Sequence, residues 1–197
     1  MQEHIHPIFD TILGKEDKER LLNQKGIVIW MVGLSGSGKS TLARALENKL
    51  HEEGHLTQLL DGDNLRTGVN VNLGFSAEDR NENIRRTAEV AKLFANCGIV
   101  TICSFICPTH QLQEMAADII GTTMHSVFVS CPVEVCEERD VKGLYAKARS
   151  GEIPNFTGIS APFEEPKDPD LVIKTDVQSL EESLEQLHTT VAQLIKA

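Results

Sequence analysis

The sequence predicts an α/β fold: a three-layer sandwich with a mostly parallel sheet, helices on both faces and a lid segment. Three observations predict it. Short apolar runs alternate with longer amphipathic segments along the whole chain, the pattern of a parallel sheet with helical crossovers. The first such run, IVIWMV at 27–32, is apolar without interruption, as a strand covered on both faces must be. A Gly/Pro-rich stretch, GEIPNFTGISAPFEEPKDPD at 151–170, can be neither a helix nor a central strand.

The elements follow in order. Residues 16–24 read as a short polar helix ending before Gly26, 27–32 as the first strand, and 39–53 as a helix closed by Gly54. Residues 56–60 make a second strand and LLDGDNLR, 59–66, leaves it as a turn. Ser76 caps a long helix, with Asp79 as its capping-box partner. Along that helix Glu82–Arg86 and Arg85–Glu89 are i,i+4 ion pairs, and Ile84, Ala88, Ala91 and Ala95 form the buried stripe. Asn96 and Gly98 end it. Then come strand 99–105, helix 109–120, strand 125–130, helix 133–149 with a break near Gly143, strand 171–174 and a last helix over 177–195. The 197 residues suit one domain with a sizeable core, its lid at about 142–168.

Composition excludes several functions. A formal net charge of −10 argues against nucleic-acid binding by phosphate neutralisation, which needs a basic face. No run approaches the roughly 20 apolar residues of a membrane span. The N-terminal MQEHIHPIFD lacks the basic and apolar regions of a signal peptide, so a cytoplasmic protein is expected. Five cysteines without a C-x-x-C pair read as free thiols in a reducing compartment. His4 and His6 resemble a metal pair but sit at the terminus and are set aside.

Ligands of parallel sheets bind at the carboxyl ends of the strands. After the first strand stands GLSGSGKS, 33–40, a match to G-x-x-x-x-G-K-[ST] with a strand before and a helix after. Gly33, Leu34, Ser35, Gly36, Ser37 and Gly38 supply backbone N–H groups for phosphate oxygens, and the helix that includes Lys39, Ser40 and Thr41 adds its positive end. Lys39 reaches the β- and γ-phosphates and the Ser40 hydroxyl ligates Mg²⁺, so the expected cofactors are ATP and Mg²⁺. A GTPase is excluded: the only Asn-Lys pair, Asn48–Lys49, lies inside a helix and is followed by Leu50 and His51. The D-x-x-G matches at 118–121 and 140–143 also fall in helical segments and are taken as chance.

An acceptor must lie beside the γ-phosphate. Asp61, Asp63 and Arg66 leave the second strand, Arg80 and Asn83 share a helix face at i,i+3, and Ile106–Cys107–Pro108 leaves the third strand. Phe75 is either a core ring or a stacking platform working with a lid phenylalanine, Phe156 or Phe163. Arg66 and Arg80 either hold an anion or make surface ion pairs.

The stretches KGIVIWMVGLSGSGKSTLA, LLDGDNLRTGVNVNLGFSAEDRNENIRRTAEVAKLFANCGI and CEERDVKGLYAKARSGEIPNFTGISAPFEEP resemble the adenylylsulfate kinases, a family of P-loop kinases, from about residue 15 to 175. The resemblance implies ATP-dependent phosphorylation of adenosine 5′-phosphosulfate at its ribose 3′-hydroxyl. By position it makes Asp63 the general base and Asp61 a metal-side or orienting acid. Arg66, Arg80 and Asn83 would hold phosphosulfate and ribose. Phe75 and Phe156 would stack on the acceptor adenine, with Ile106, Cys107, Lys142 and Asn155 lining the same pocket, and Arg139 would lie near the ATP adenine. A homodimer and coupling to ATP sulfurylase are further implications.

The chain departs from the family in places. Cys107 stands where the family commonly has a serine that can be phosphorylated, so direct transfer from ATP is expected. THQLQEMAADII follows Pro108 where the family tends to carry arginines, and Ala146–Lys147 replaces its usual lysine pair. Without a sulfurylase domain in view, the chain reads as a stand-alone kinase or a fragment of a fusion. The other functions considered are a kinase for a nucleoside or sugar acid, and a non-catalytic nucleotide-binding relative.

Overall fold

The computed structural model describes residue 4 and residues 6–197. Five parallel strands form one sheet: β1 (Val28–Val32), β2 (Thr57–Asp61), β3 (Val100–Phe105), β4 (Met124–Ser130) and β5 (Leu171–Lys174). Their spatial order is β2-β3-β1-β4-β5, which puts the first strand in the centre. Because β1 is covered on both sides, alternate residues feed two cores. Ile29 and Met31 join Val127 and Val129 against α2 (Lys39–Glu52) and the C-terminal helix Leu180–Leu194. Val28, Trp30 and Val32 join Cys103 and Phe105 against the helices Ala77–Asn96 and His110–Ile120. Trp30 is fully buried and stacks on Phe105 at 5.5 Å between ring centroids. Truncating such a side chain costs about 3–5 kcal/mol.

In chain order the helices are α1 (Lys15–Leu22), α2, α3 (Gly62–Arg66), α4 (Ala77–Asn96), α5 (His110–Ile120), α6 (Val133–Arg139), α7 (Leu144–Arg149) and α8 (Leu180–Leu194). The expected turn at 61–66 is a helical turn, α3: the Asp61 carboxylate accepts the Asp63 N–H at 3.0 Å and caps it. The expected Arg85–Glu89 pair does not form, because Arg85 turns back one helical turn to Glu82, which also holds Arg86. Ser76 accepts the Asp79 N–H at 3.1 Å, but the Asp79 carboxylate does not return a bond to the Ser76 N–H, so the expected capping box is only half made. The predicted helix 133–149 is two helices, and the Asp140 carboxylate between them accepts the N–H groups of Tyr145 and Ala146. The last helix begins at Leu180 rather than 177, where Ser179 and Glu182 form a full capping box.

The stretch 151–170 is an ordered loop closed on itself. The Phe156 carbonyl accepts from the N–H groups of Ile159, Ser160 and Ala161, and Thr157 bridges Ala161. It covers a third apolar cluster of Leu34, Cys131, Cys136, Tyr145, Ala148 and Phe156. Among the described residues no helix is long and apolar enough to cross a membrane, and no group of three or more His, Cys, Asp or Glu is placed to hold a metal.

Candidate active site

The phosphate loop, 33–41, leaves the central strand and enters α2. Its tight path needs glycine at Gly33, where a Cβ would meet the Val129 carbonyl oxygen at 2.5 Å, and at Gly38, whose φ of 94° is left-handed. Side chains from elsewhere bind its carbonyls from outside: Tyr145 Oη donates to Ser35 O at 2.8 Å, Arg139 to Gly36 O at 3.3 Å, and Thr175 Oγ1 to Ser37 O at 2.7 Å. The N–H groups of Lys39, Ser40 and Thr41 begin α2 and have no acceptor within it, leaving a cradle for anionic oxygens. Lys39 is buried and donates to Leu34 O at 2.6 Å. Burial pulls its ammonium down to about 8, against the opposing pull of nearby Cys136 and Asp61.

Asp61 ends β2 beside Ser104 of β3. Its Oδ2 accepts the Ser40 hydroxyl at 2.7 Å, and Ser40 Oγ lies 3.3 Å from Ser104 Oγ. A hydroxyl at the head of α2 and one carboxylate behind it fit Mg²⁺, which keeps several waters and takes the rest of its shell from substrate phosphates. Asp63, one residue into α3, pairs instead with Lys142 from the α6–α7 connection. The two aspartates therefore stand in different environments.

The acceptor candidates meet around Phe75. Phe75 is 69% exposed, which excludes a core role. The Arg66 guanidinium lies 4.4 Å from the ring centroid and donates to the carbonyls of Leu73 and Gly74. Arg80 donates to Phe75 O at 3.0 Å, Thr157 Oγ1 at 2.9 Å and Asn155 O at 2.8 Å. One guanidinium thus ties Phe75 to the lid residues on either side of Phe156. Neither arginine makes an ion pair among the described residues, which excludes the surface-pair alternative. Desolvation, and for Arg66 also the nearby Arg80 charge, disfavours the cationic form of each. Asn83 is buried and its Oδ1 accepts from Asn70 at 2.9 Å. Phe156 is buried against Tyr145, edge to face at 5.0 Å.

The whole arrangement lies at the carboxyl ends of the strands, with the phosphate loop at its centre. The family model described as Adenylylsulphate kinase matches residues 25–174. The chain is 61% identical to the adenylyl-sulfate kinase of Bacteroides thetaiotaomicron over 187 residues, 94% of this chain and 93% of the relative. It is 55% identical to that of Clostridium acetobutylicum over 84% of this chain and 83% of the relative. The chain belongs to the adenylylsulfate kinase family. Among solved structures it is similar to the Mycobacterium tuberculosis APS kinase in complex with AMPPNP and APS, at 44% identity and TM-score 0.82, covering 85% of this chain and 98% of that one. A sugar kinase from Janibacter at 18% identity and TM-score 0.61 shares the fold.

Within this adenylylsulfate kinase fold, Cys107 follows β3 beside half-buried Ile106, in a left-handed conformation at φ 44°. That conformation costs a non-glycine residue about 1–3 kcal/mol. Burial pushes its thiol up to about 12, and the Trp30 indole opposes this only weakly. Such a thiol is a poor nucleophile.

Arg139 also donates to Thr175 O at 2.6 Å, at the rim of a cavity of about 330 Å³ lined by Gly36, Gly38, Thr41, Val141, Thr175 and Leu180. A larger cavity of about 830 Å³ lies between the end of β4 and the lid loop, and Leu34 and Phe163 are the candidate residues in its wall. Sequence reasoning missed Tyr145, Thr175 and Ser104. The only signal for any of them was the Tyr in KGLY. The 140–143 match taken as chance holds Asp140, whose carboxylate accepts the Tyr145 backbone N–H in the first turn of α7.

Proposed function

We propose a division of labour among these residues for the reaction of the family. The chain phosphorylates adenosine 5′-phosphosulfate with ATP at the ribose 3′-hydroxyl, giving 3′-phosphoadenylylsulfate and ADP. In our assignment the phosphate loop and Lys39 hold the triphosphate, whose adenine enters the 330 Å³ cavity beside Arg139. Ser40, with Asp61 behind it, would hold Mg²⁺. When bound, the ion neutralises charge on the β- and γ-phosphates.

Arg66 and Arg80 present two cationic forks to the acceptor's phosphosulfate, both held in place by backbone carbonyls. Phe75 offers the free face of its ring to the acceptor adenine, with Phe156 reached as the lid adjusts. Ile106, Cys107, Asn83, Lys142 and Asn155 bound the same pocket. Asp63 accepts the 3′-hydroxyl proton as the new P–O bond forms, and Lys142 orients its carboxylate until the acceptor arrives. Transfer is direct, because phosphoryl transfer needs alignment and charge neutralisation more than covalent help.

The observation that carries the proposal is the split of the two aspartates: Asp61 is bound to the Ser40 hydroxyl and Asp63 to a lysine beside the lid. The test measures ADP release with adenylylsulfate, nucleosides and gluconate in parallel. Turnover is expected with adenylylsulfate alone; turnover confined to a nucleoside or gluconate overturns the proposal. A homodimer is part of the same reading, supported by a relative described as a hexameric APS kinase from Thiobacillus denitrificans, 28% identical and matched over 29% of its length. Sedimentation at assay concentrations tests it, and a monomer would exclude it. Coupling to ATP sulfurylase is proposed on the substrate's chemistry alone.

A further inference from the structure

His110 and Gln113 stand in the first turn of α5, and both reach the far end of the lid. The Gln113 amide nitrogen donates to Cys107 O at 3.1 Å and to Glu164 O at 2.9 Å. Both of its N–H donors are thereby spent on backbone carbonyls 57 residues apart in sequence, at Cys107 and Glu164. The Glu164 N–H donates to Pro108 O at 2.8 Å, and the Glu164 carboxylate accepts the His110 backbone N–H at 2.6 Å. His110 Nε2 lies 2.8 Å from Glu165 O. The lid's exit is therefore sewn to the turn 107–110 by a continuous set of bonds. At its centre stands Cys107, a non-glycine residue in a left-handed conformation that persists only where its surroundings over-determine it.

We infer that Gln113 is a positioning residue for the acceptor site: its amide fixes the Cys107 turn and the lid exit at Glu164 in one geometry. The lid enters that site from its other end, where Arg80 grips Asn155 and Thr157. With Gln113 in place both ends of 155–164 are anchored, and the intervening Phe156–Phe163 loop has a defined height over the acceptor. Without it, the exit keeps only its bonds to Pro108 and His110, the Cys107 turn loses its tie to the lid, and this wall of the acceptor pocket loosens. The phosphate loop makes no hydrogen bond to Gln113 or His110, so ATP binding is outside the reach of the latch. The inference rests on the acceptor site proposed above.

The experiment compares the wild type with Gln113→Met, which keeps the length and removes both donors, and Gln113→Arg, which restores two donors. It reads KM for adenylylsulfate, KM for ATP, and amide exchange at Glu164. For Gln113→Met the acceptor KM rises about 5- to 150-fold, the range for two hydrogen bonds lost. ATP KM stays within about 2-fold, exchange at Glu164 accelerates, and Gln113→Arg recovers most of both effects. Unchanged exchange at Glu164 and an unchanged acceptor KM in Gln113→Met overturn the inference. So does an equal rise in both KM values, which is general loosening. Exchange at Glu164 needs no acceptor: a wild type that fails to turn over adenylylsulfate defeats the functional proposal, while the latch itself is still decided by exchange.

Discussion

Replacing Arg80 by lysine separates charge from geometry at the acceptor site. The guanidinium holds three acceptors at once: Phe75 O, Thr157 Oγ1 and Asn155 O. A lysine ammonium on its flexible stem keeps the charge but cannot span that planar fork. If it retains one of the three bonds, two are lost. The site is half-exposed, so water replaces part of what is lost, and each bond counts at the ordinary net value of about 0.5–1.5 kcal/mol. The sum is about 1–3 kcal/mol, or roughly 5- to 150-fold. The loss falls on the acceptor, because Arg80 joins Phe75 to the lid and touches nothing in the phosphate loop. Initial rates of ADP release at saturating ATP, with adenylylsulfate varied, should show that rise in KM, with ATP KM within about 3-fold. An Arg80→Lys enzyme with wild-type acceptor KM would refute the reasoning, since charge alone would then suffice.

Asp63→Asn should lower kcat by about 10²- to 10⁴-fold, the usual worth of a positioned general base, while ATP still binds; near-normal turnover would remove Asp63 from the base role. ATP affinity should also depend on pH through Lys39. Its ammonium is present below about pH 8 and is lost in the free enzyme as pH rises through that value. ATP affinity should therefore be level below pH 8 and fall toward tenfold per unit above it, as titration calorimetry would show; a level profile to pH 10 would contradict it. Stability moves the other way. Between about 8 and 10.5 the unfolded chain binds more protons at this residue than the folded one, so this group's burial penalty is relieved as pH rises.

Much of this was legible in local sequence. An uninterrupted apolar run must be covered on both faces, and IVIWMV became the central strand. Gly33 to Ser40 demand a loop that only glycines can trace, between a strand and a helix. Asp61 and Asp63, one residue apart, were readable as acids at the reacting end of the sheet. Their different surroundings were not, because the partners that distinguish them, Ser40 and Lys142, lie 21 and 79 residues away. Short-range rules also misassigned 61–66, since a side-chain cap by Asp61 winds a turn into helix without changing its composition.

The sequence by itself determined the layers, the phosphate loop and the family, because periodicity, glycine geometry and motif spacing are local properties of the chain. Only the tertiary structure decided which side chains hold the loop carbonyls, why Phe75 stands exposed against Arg66 instead of in the core, and how the lid is fastened at both ends. The physical reason is the same in each case. Tyr145 on Ser35, Arg80 on Asn155 and Gln113 on Glu164 are single hydrogen bonds between segments far apart in sequence. Nothing in the residues nearby specifies such a partner until the sheet has folded and brought the strand ends together.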